Sequence, residues 1–151
     1  MSIPKPHFSR RHLPRRLRRL IGTWKVEGRF VGGDEILPVK GTVTFRWIAK
    51  DALVVMRTRM GVAPASVAVL GADDNQNSFT MLYSDDRGVV RRFDMTLTAH
   101  RWTMIRRQRG FSQRMVARIA GNGRSMKATW EKSADGRRWM RDFELTYTKR
   151  R

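Results

Sequence analysis

There is no cysteine in the 151 residues, which excludes disulfide staples, thiol nucleophiles, thiolate zinc sites and iron–sulfur clusters. Histidine is nearly as scarce: His7, His12 and His100 show no metal-ligand spacing, so neither a zinc nor an iron site is expected. Carboxylates are few, 13 Asp and Glu against 32 Lys and Arg. No apolar run approaches the ~20 residues of a membrane span. The basic N-terminus lacks the continuous apolar stretch of a secretory signal, Arg10-Arg11 notwithstanding, so a cytoplasmic location is expected.

What is present is packing material and positive charge. The apolar fraction is 40%, with five Trp, seven Phe and nine Met, enough for one ordinary domain and too much for a disordered chain. The net charge is +19. Residues 1–20 contribute seven cations (Lys5, Arg10, Arg11, Arg15, Arg16, Arg18 and Arg19) and no carboxylate, which leaves the remaining body at +12. Such a field attracts nucleic acid and anionic surfaces weakly and nonspecifically, with strong salt dependence. An Arg-rich solvated surface explains the same numbers without any partner.

Pro4 and Pro6 keep the start of the chain extended, and residues 1–13 read as a basic flexible segment. From Pro14 the pattern turns helical. Leu13, Leu17, Leu20 and Ile21 lie three and four apart, which predicts a short helix over about 14–20, stopped by Gly22, with its apolar stripe against the fold that follows. Residues 14–151 then form a single domain.

Beyond Gly22 the period becomes two. Trp24, Val26, Gly28 and Phe30 share one face. Val39, Gly41, Val43, Phe45 and Trp47 alternate with Lys40, Thr42, Thr44 and Arg46. Residues 52–60 and 64–71 are strand-like with apolar residues on both faces. Phe79, Met81 and Tyr83 follow, then Val89, Arg91, Phe93, Met95 and Leu97. Trp102, Met104 and Arg106 come after a turn at His100. Phe111, Gln113, Met115, Ala117 and Ile119, then Met126, Ala128 and Trp130, then Trp139, Arg141, Phe143, Leu145 and Tyr147 complete the series. This makes about ten strands at roughly 8–13-residue spacing, joined by turns such as DDRG, GNGR and SADGR, with no helical pattern between them. The expected fold is all-β, an antiparallel up-and-down barrel, because closure removes the two exposed edges of such a meander.

A barrel of about ten strands is wider than one that eight strands fill with their own side chains. An internal pocket is therefore expected, lined by Trp24, Phe45, Trp47, Tyr83, Arg91, Phe93, Met95, Trp102, Met104, Met115, Trp130, Arg141 and Phe143. Arg91, Arg106 and Arg141 share the parity of inward-facing residues. They either anchor an anionic head inside an apolar pocket or sit near the barrel rims, where one could stack on tryptophan to latch the first strand. Asp94, Glu131, Asp142 and Glu144 are their candidate partners.

The segment Leu20-Ile21-Gly22-Thr23-Trp24 resembles the Gly-x-Trp that opens the first strand of lipocalins and other calycins. With Gly28 the spacing Gly-x-Trp-x-x-x-Gly is similar to that of nitrobindin-like barrels. The ending, Trp130-Glu131-Lys132-Ser133, then Asp135-Gly136-Arg137-Arg138-Trp139 and Phe143-Glu144-Leu145-Thr146-Tyr147, resembles the closing hairpin of small uncharacterised bacterial proteins of that group. The resemblance covers about residues 17–149 and implies a closed barrel binding a small, mostly hydrophobic molecule. It does not imply haem: nitrobindin-like proteins hold haem through a histidine near the C-terminus, and no histidine follows His100 here. Fatty-acid specificity is not carried over either. The matching stretch is Arg141-Asp142-Phe143, where fatty-acid-binding proteins carry Arg-x-Tyr.

Catalytic constellations are scarce. Asp73-Asp74 and Asp85-Asp86 fall at turns, where Asp is ordinary. Ser66, Ser78, Ser112 and Ser125 lack His and carboxylate partners for a triad, and no glycine-rich loop precedes a helix. The expectation is a non-enzymatic binder without cofactor. A nucleic-acid binder using the basic exterior and tail is the alternative, although the aromatics alternate inward and form no stacking platform.

Overall fold

The computed structural model describes residues 2–4, 13–31, 35–74 and 78–151. A 3-10 helix over Pro14–Arg19 precedes ten strands: β1 (Gly22–Phe30), β2 (Leu37–Ala49), β3 (Leu53–Met60), β4 (Ser66–Asp73), β5 (Ser78–Asp85), β6 (Val90–Leu97), β7 (Arg101–Arg106), β8 (Ser112–Ile119), β9 (Ser125–Ser133) and β10 (Met140–Lys149). Each strand pairs antiparallel with its sequence neighbours, and β1 also pairs with β10, so the sheet closes on itself. This is the all-β, up-and-down closed barrel that the alternation predicts, and closure pairs the two end strands of the meander with each other.

Register follows the pleat. Trp24 lies opposite Val43 and Lys149, and Val26 opposite Gly41 and Tyr147. Trp24, Val26, Val43 and Phe45 are fully buried, while Lys25, Glu27, Lys40 and Arg46 face water. Two glycines permit close strand approach, Gly28 between β1 and β10 and Gly41 between β2 and β3. A Cβ on Gly28 would lie 1.9 Å from the Glu144 carbonyl oxygen, and one on Gly41 would lie 1.8 Å from that of Arg59. No side chain fits either gap.

The two ends of the barrel differ. Pro14 opens the helix at a position where its missing N–H costs nothing. Leu17 and Leu20 on its apolar stripe are fully buried, and Leu13 is buried beside them. This stripe caps the end at which β1 begins and β10 finishes. Arg16 Nη1 donates to the Leu97 carbonyl at 3.0 Å, and Arg18 pairs with Asp51 through two 2.6 Å bonds. The reading of residues 1–13 as a flexible segment lies mostly outside the described residues, and Leu13 itself belongs to the packed cap. The opposite end, where β1, β3, β5, β7 and β9 finish, carries the loops at 61–65, 86–89, 107–111 and 134–139 and stays open as a mouth. No helix is long and apolar enough to cross a membrane among the described residues.

Two bulges interrupt the ladders. One lies between Trp47 and Ala49 against β3. The other, between Arg141 and Phe143, leaves Arg141 opposite Glu131 and Phe143 opposite Trp130, with Asp142 as the extra residue. An extra residue reverses the side-chain parity across it. The last strand thus changes faces at its mouth end.

Candidate functional site

The mouth leads into a cavity of about 410 Å3 inside the barrel. Its floor and walls are apolar: Met56 and Met60 from β3, Met81 from β5, Phe93 from β6, Met104 from β7, Trp130 from β9, and Phe143, Leu145 and Tyr147 from β10. An aromatic belt runs along the wall. Trp130 stacks on Phe143 with ring centroids 5.4 Å apart, Phe30 meets Phe143 at 5.2 Å, and Phe93 meets Trp130 edge-on at 5.8 Å and Tyr83 at 6.5 Å. Such tilted and offset pairs hold the rings in place.

The polar side chains gather near the rim. Tyr83 donates its phenol proton to Asp85 Oδ2 at 2.7 Å. The same carboxylate, its side chain wholly buried, accepts from Arg87 Nη2 at 2.8 Å and from the Arg87 backbone N–H at 2.9 Å. The Arg87 guanidinium chiefly holds the Asp85 carboxyl well below the usual range, the Tyr83 hydroxyl and the Arg87 backbone adding to it against the effect of burial. Burial, and then the bond to Asp85, push the Tyr83 phenol up to about 12. Charge here is therefore fixed near neutral pH: a carboxylate, a guanidinium and an un-ionised phenol.

Arg91 is different. Half-buried, it donates from Nη1 to Gln113 Oε1 at 3.0 Å and lies 5.0 Å from the centroid of the Phe111 ring. No carboxylate pairs with it among the described residues. Burial, and then the nearby guanidiniums of Arg87 and Arg106, lower its pKa. Tyr147 also lines the cavity, and its hydroxyl has no partner among the described residues; burial raises its pKa.

Of the thirteen pocket residues expected from the sequence, Tyr83, Arg91, Phe93, Met104, Trp130 and Phe143 line the cavity. Trp24, Phe45, Met95, Trp102 and Met115 do face inward, but they are buried in the packed part of the barrel. Trp47 is half-buried against that core near the bulge. Arg141 lies elsewhere: the bulge turns it to the outer surface, where Nη1 bonds Glu144 at 2.7 Å with 60% of the side chain exposed. The other candidate acids are engaged too, Glu131 with Arg114, Asp142 with Lys132, and Asp94 loosely with Arg92. The cation beside Trp24 is Lys149, 5.3 Å from the ring, and not an arginine.

Sequence reasoning missed Met56, Thr58 and Met60, which alternate into the cavity from β3, and also Phe111 and Gln113. Gln113 was visible in the parity it shares with Met115. Phe111, one residue before β8, shares that parity as well.

The crystal structure of Rv2717c from M. tuberculosis is similar to this chain, with a TM-score of 0.65 and 12% sequence identity over 92% of this chain and 98% of that one. No family model matches the chain, and no curated protein is similar to it in sequence. At that identity the likeness shows the fold alone: a closed barrel of this size and arrangement.

Proposed function

We propose that the barrel binds a small amphipathic molecule, its apolar body among the Met, Phe and Trp side chains and an anionic or polar head at Arg91. The observation that carries this reading is a half-buried guanidinium with no carboxylate bonded to it among the described residues, at the mouth of a mainly apolar cavity whose other charged lining residues, Arg87 and Asp142, are paired. A cavity of about 410 Å3 falls within the roughly 300–1,000 Å3 of small-molecule sites. Arg91 makes no ion pair among the described residues, the Asp85 carboxylate acting on it only through space; a half-buried cation so placed is costly, and an anionic ligand would relieve that cost. Apolar burial at about 25 cal/mol per Å2 would supply most of the affinity, and the Arg91 fork would orient the head. The described lining carries no histidine to ligate an iron, which favours a binder without haem. Thr58 and Ser66 in that lining have no neighbouring histidine either, and this favours carriage over catalysis.

The basic exterior is a separate matter. Arg15, Arg18, Arg19, Lys50, Arg101, Arg124 and Arg150 are exposed around the capped end, away from the mouth. They support weak polyanion attraction without sequence preference. The two modes separate by salt. A fluorescent apolar probe should bind with nearly the same affinity at about 50 and 200 mM salt, whereas a labelled oligonucleotide making six phosphate contacts should lose roughly 1,000-fold. Native mass spectrometry of the protein as purified would show a retained ligand by its mass. Sequence-selective oligonucleotide binding at the higher salt, with no probe binding, would replace the pocket reading with the nucleic-acid one.

A further inference from the structure

The barrel wall opens between β6 and β7. Their ladder runs from Asp94–Ile105 to Leu97–Trp102 and no further towards the mouth. Val90, Arg91, Arg92 and Phe93 pair with β5 alone, and Arg106 pairs with Gln113 of β8 alone. A cleft of about 280 Å3 occupies the gap. Four of its lining residues are arginines (Arg91, Arg92, Arg106 and Arg107), and one, Asp94, is a carboxylate. Arg91 lines this cleft and the barrel cavity together, so the two spaces meet at its side chain.

Charge in the cleft is unbalanced. Among the described residues Asp94 reaches only Arg92, at 4.0 Å, with both side chains about 70% exposed. Arg91 and Arg106 have neutral partners: the Gln113 amide and Phe111 ring for one, and the Phe111 carbonyl at 3.2 Å for the other. Burial, then Arg87, then Arg106 weaken the hold of Arg91 on its proton, so the two cleft guanidiniums repel one another. A carboxylate head would balance one of these guanidiniums, whereas a dianion balances both. Three terminal oxygens on one phosphorus also suit planar forks arriving from two strands and a loop.

We propose that the β6–β7 cleft takes the head of the ligand and that this head is a phosphate monoester, its apolar tail passing Arg91 into the barrel. The proposal rests on the reading of the barrel as a binder of amphipathic molecules, and it specifies the head group and its place in the wall.

The test is displacement of an uncharged fluorescent probe, N-phenyl-1-naphthylamine, by dodecyl phosphate, dodecanoate and dodecanol at fixed salt. The pH is held near 8, about two units above the second phosphate pKa. Dodecyl phosphate should displace the probe at a concentration at least about tenfold below that of dodecanoate, the factor one additional charge-assisted hydrogen bond supplies. With each competitor scaled to the variant's own probe affinity, Arg106→Gln should bring the two together, and Arg106→Lys should restore part of the gap. Equal displacement by the phosphate and the carboxylate, or a phosphate preference untouched in Arg106→Gln, overturns the proposal and leaves the pocket standing. Failure of the probe and all three competitors to bind overturns the pocket reading and the proposal with it.

Discussion

The indole N–H of Trp24 donates to the carbonyl oxygen of Leu20 at 2.8 Å, tying the first residues of β1 to the helix that caps the barrel. Leu20 and Leu17 are fully buried beneath it, and the Lys149 ammonium lies 5.3 Å from the centroid of the same indole ring. Trp102 also packs in this core, 6.0 Å from Phe45, but its buried indole N–H has no partner among the described residues. Two tryptophans of equal burial thus differ in whether their one polar atom is used.

Replacing each with phenylalanine separates the two roles. Trp24→Phe leaves the Leu20 carbonyl without its donor, at a cost of about 1–3 kcal/mol beyond the lost volume. Trp102→Phe removes an unused donor and should cost only the volume. Urea unfolding with unchanged m-values should therefore show a clearly lower midpoint for Trp24→Phe. The reverse order would show that the bond to Leu20 does not hold the cap.

Strand closure around β1 depends on what Gly28 lacks. Because a Cβ there would overlap the Glu144 carbonyl, Gly28→Ala must push β1 from β10, with a loss at the upper end of the about 1–3 kcal/mol seen for overpacking. Gly121 lies in the β8–β9 turn with nothing within 4 Å of an added Cβ. Gly121→Ala should shift the midpoint little. Equal effects at the two sites would mean that the barrel accommodates separation of β1 from β10.

Two ionisable side chains of the rim give stability a dependence on pH. Asp85 has a depressed pKa in the fold, so below about pH 4, near the unfolded value, the unfolded chain takes up a proton that the folded one resists. Stability present above that pH is lost as the pH falls. Thermal melts should show a steeper decline between about pH 5 and 3 in the wild type than in Asp85→Asn, which starts from a lower melting temperature. Tyr83 has the opposite sign: raised to about 12, it contributes stability below pH 10 that disappears as the pH rises through 12. Tyr147 is raised as well, and these are the two tyrosines of the chain. The folded protein near pH 11 should thus show well under half the phenolate absorbance of the denatured chain.

The architecture was legible because each step of the pleat put an apolar residue on one side and a polar one on the other. Val39 to Trp47 is the clearest example, and its faces are those the structure shows. Depth along the barrel axis was not legible. Alternation says that Trp24, Phe45 and Trp102 point inward, but not that they fill the packed part and leave the cavity to Met56, Met60, Phe93 and Trp130. On β3, Val55 and Val54 are both apolar, so the inward set Met56, Thr58 and Met60 could not be separated from the outward one. A bulge is invisible to a period of two, and that is why Arg141 and Arg91 looked equivalent.

That equivalence provides the sharpest check on the pocket. Arg91 lies before any bulge on β6, keeps the parity of Phe93 and Met95, and reaches the cavity with a neutral amide as its partner. Arg141 lies beyond one, on the outer surface against Glu144. An anionic head in the mouth meets the first and not the second. Removing one charge-assisted hydrogen bond costs about 1.5–3 kcal/mol, so Arg91→Gln should weaken an apolar carboxylate or phosphate probe by roughly tenfold to a hundredfold. An uncharged probe of the same body should bind it almost unchanged. Arg141→Gln should leave both probes at wild-type affinity. Equal losses in the two variants would point to attraction by the general positive field. A loss confined to Arg141→Gln would place the head on the outside of β10, and the cavity would not be its site.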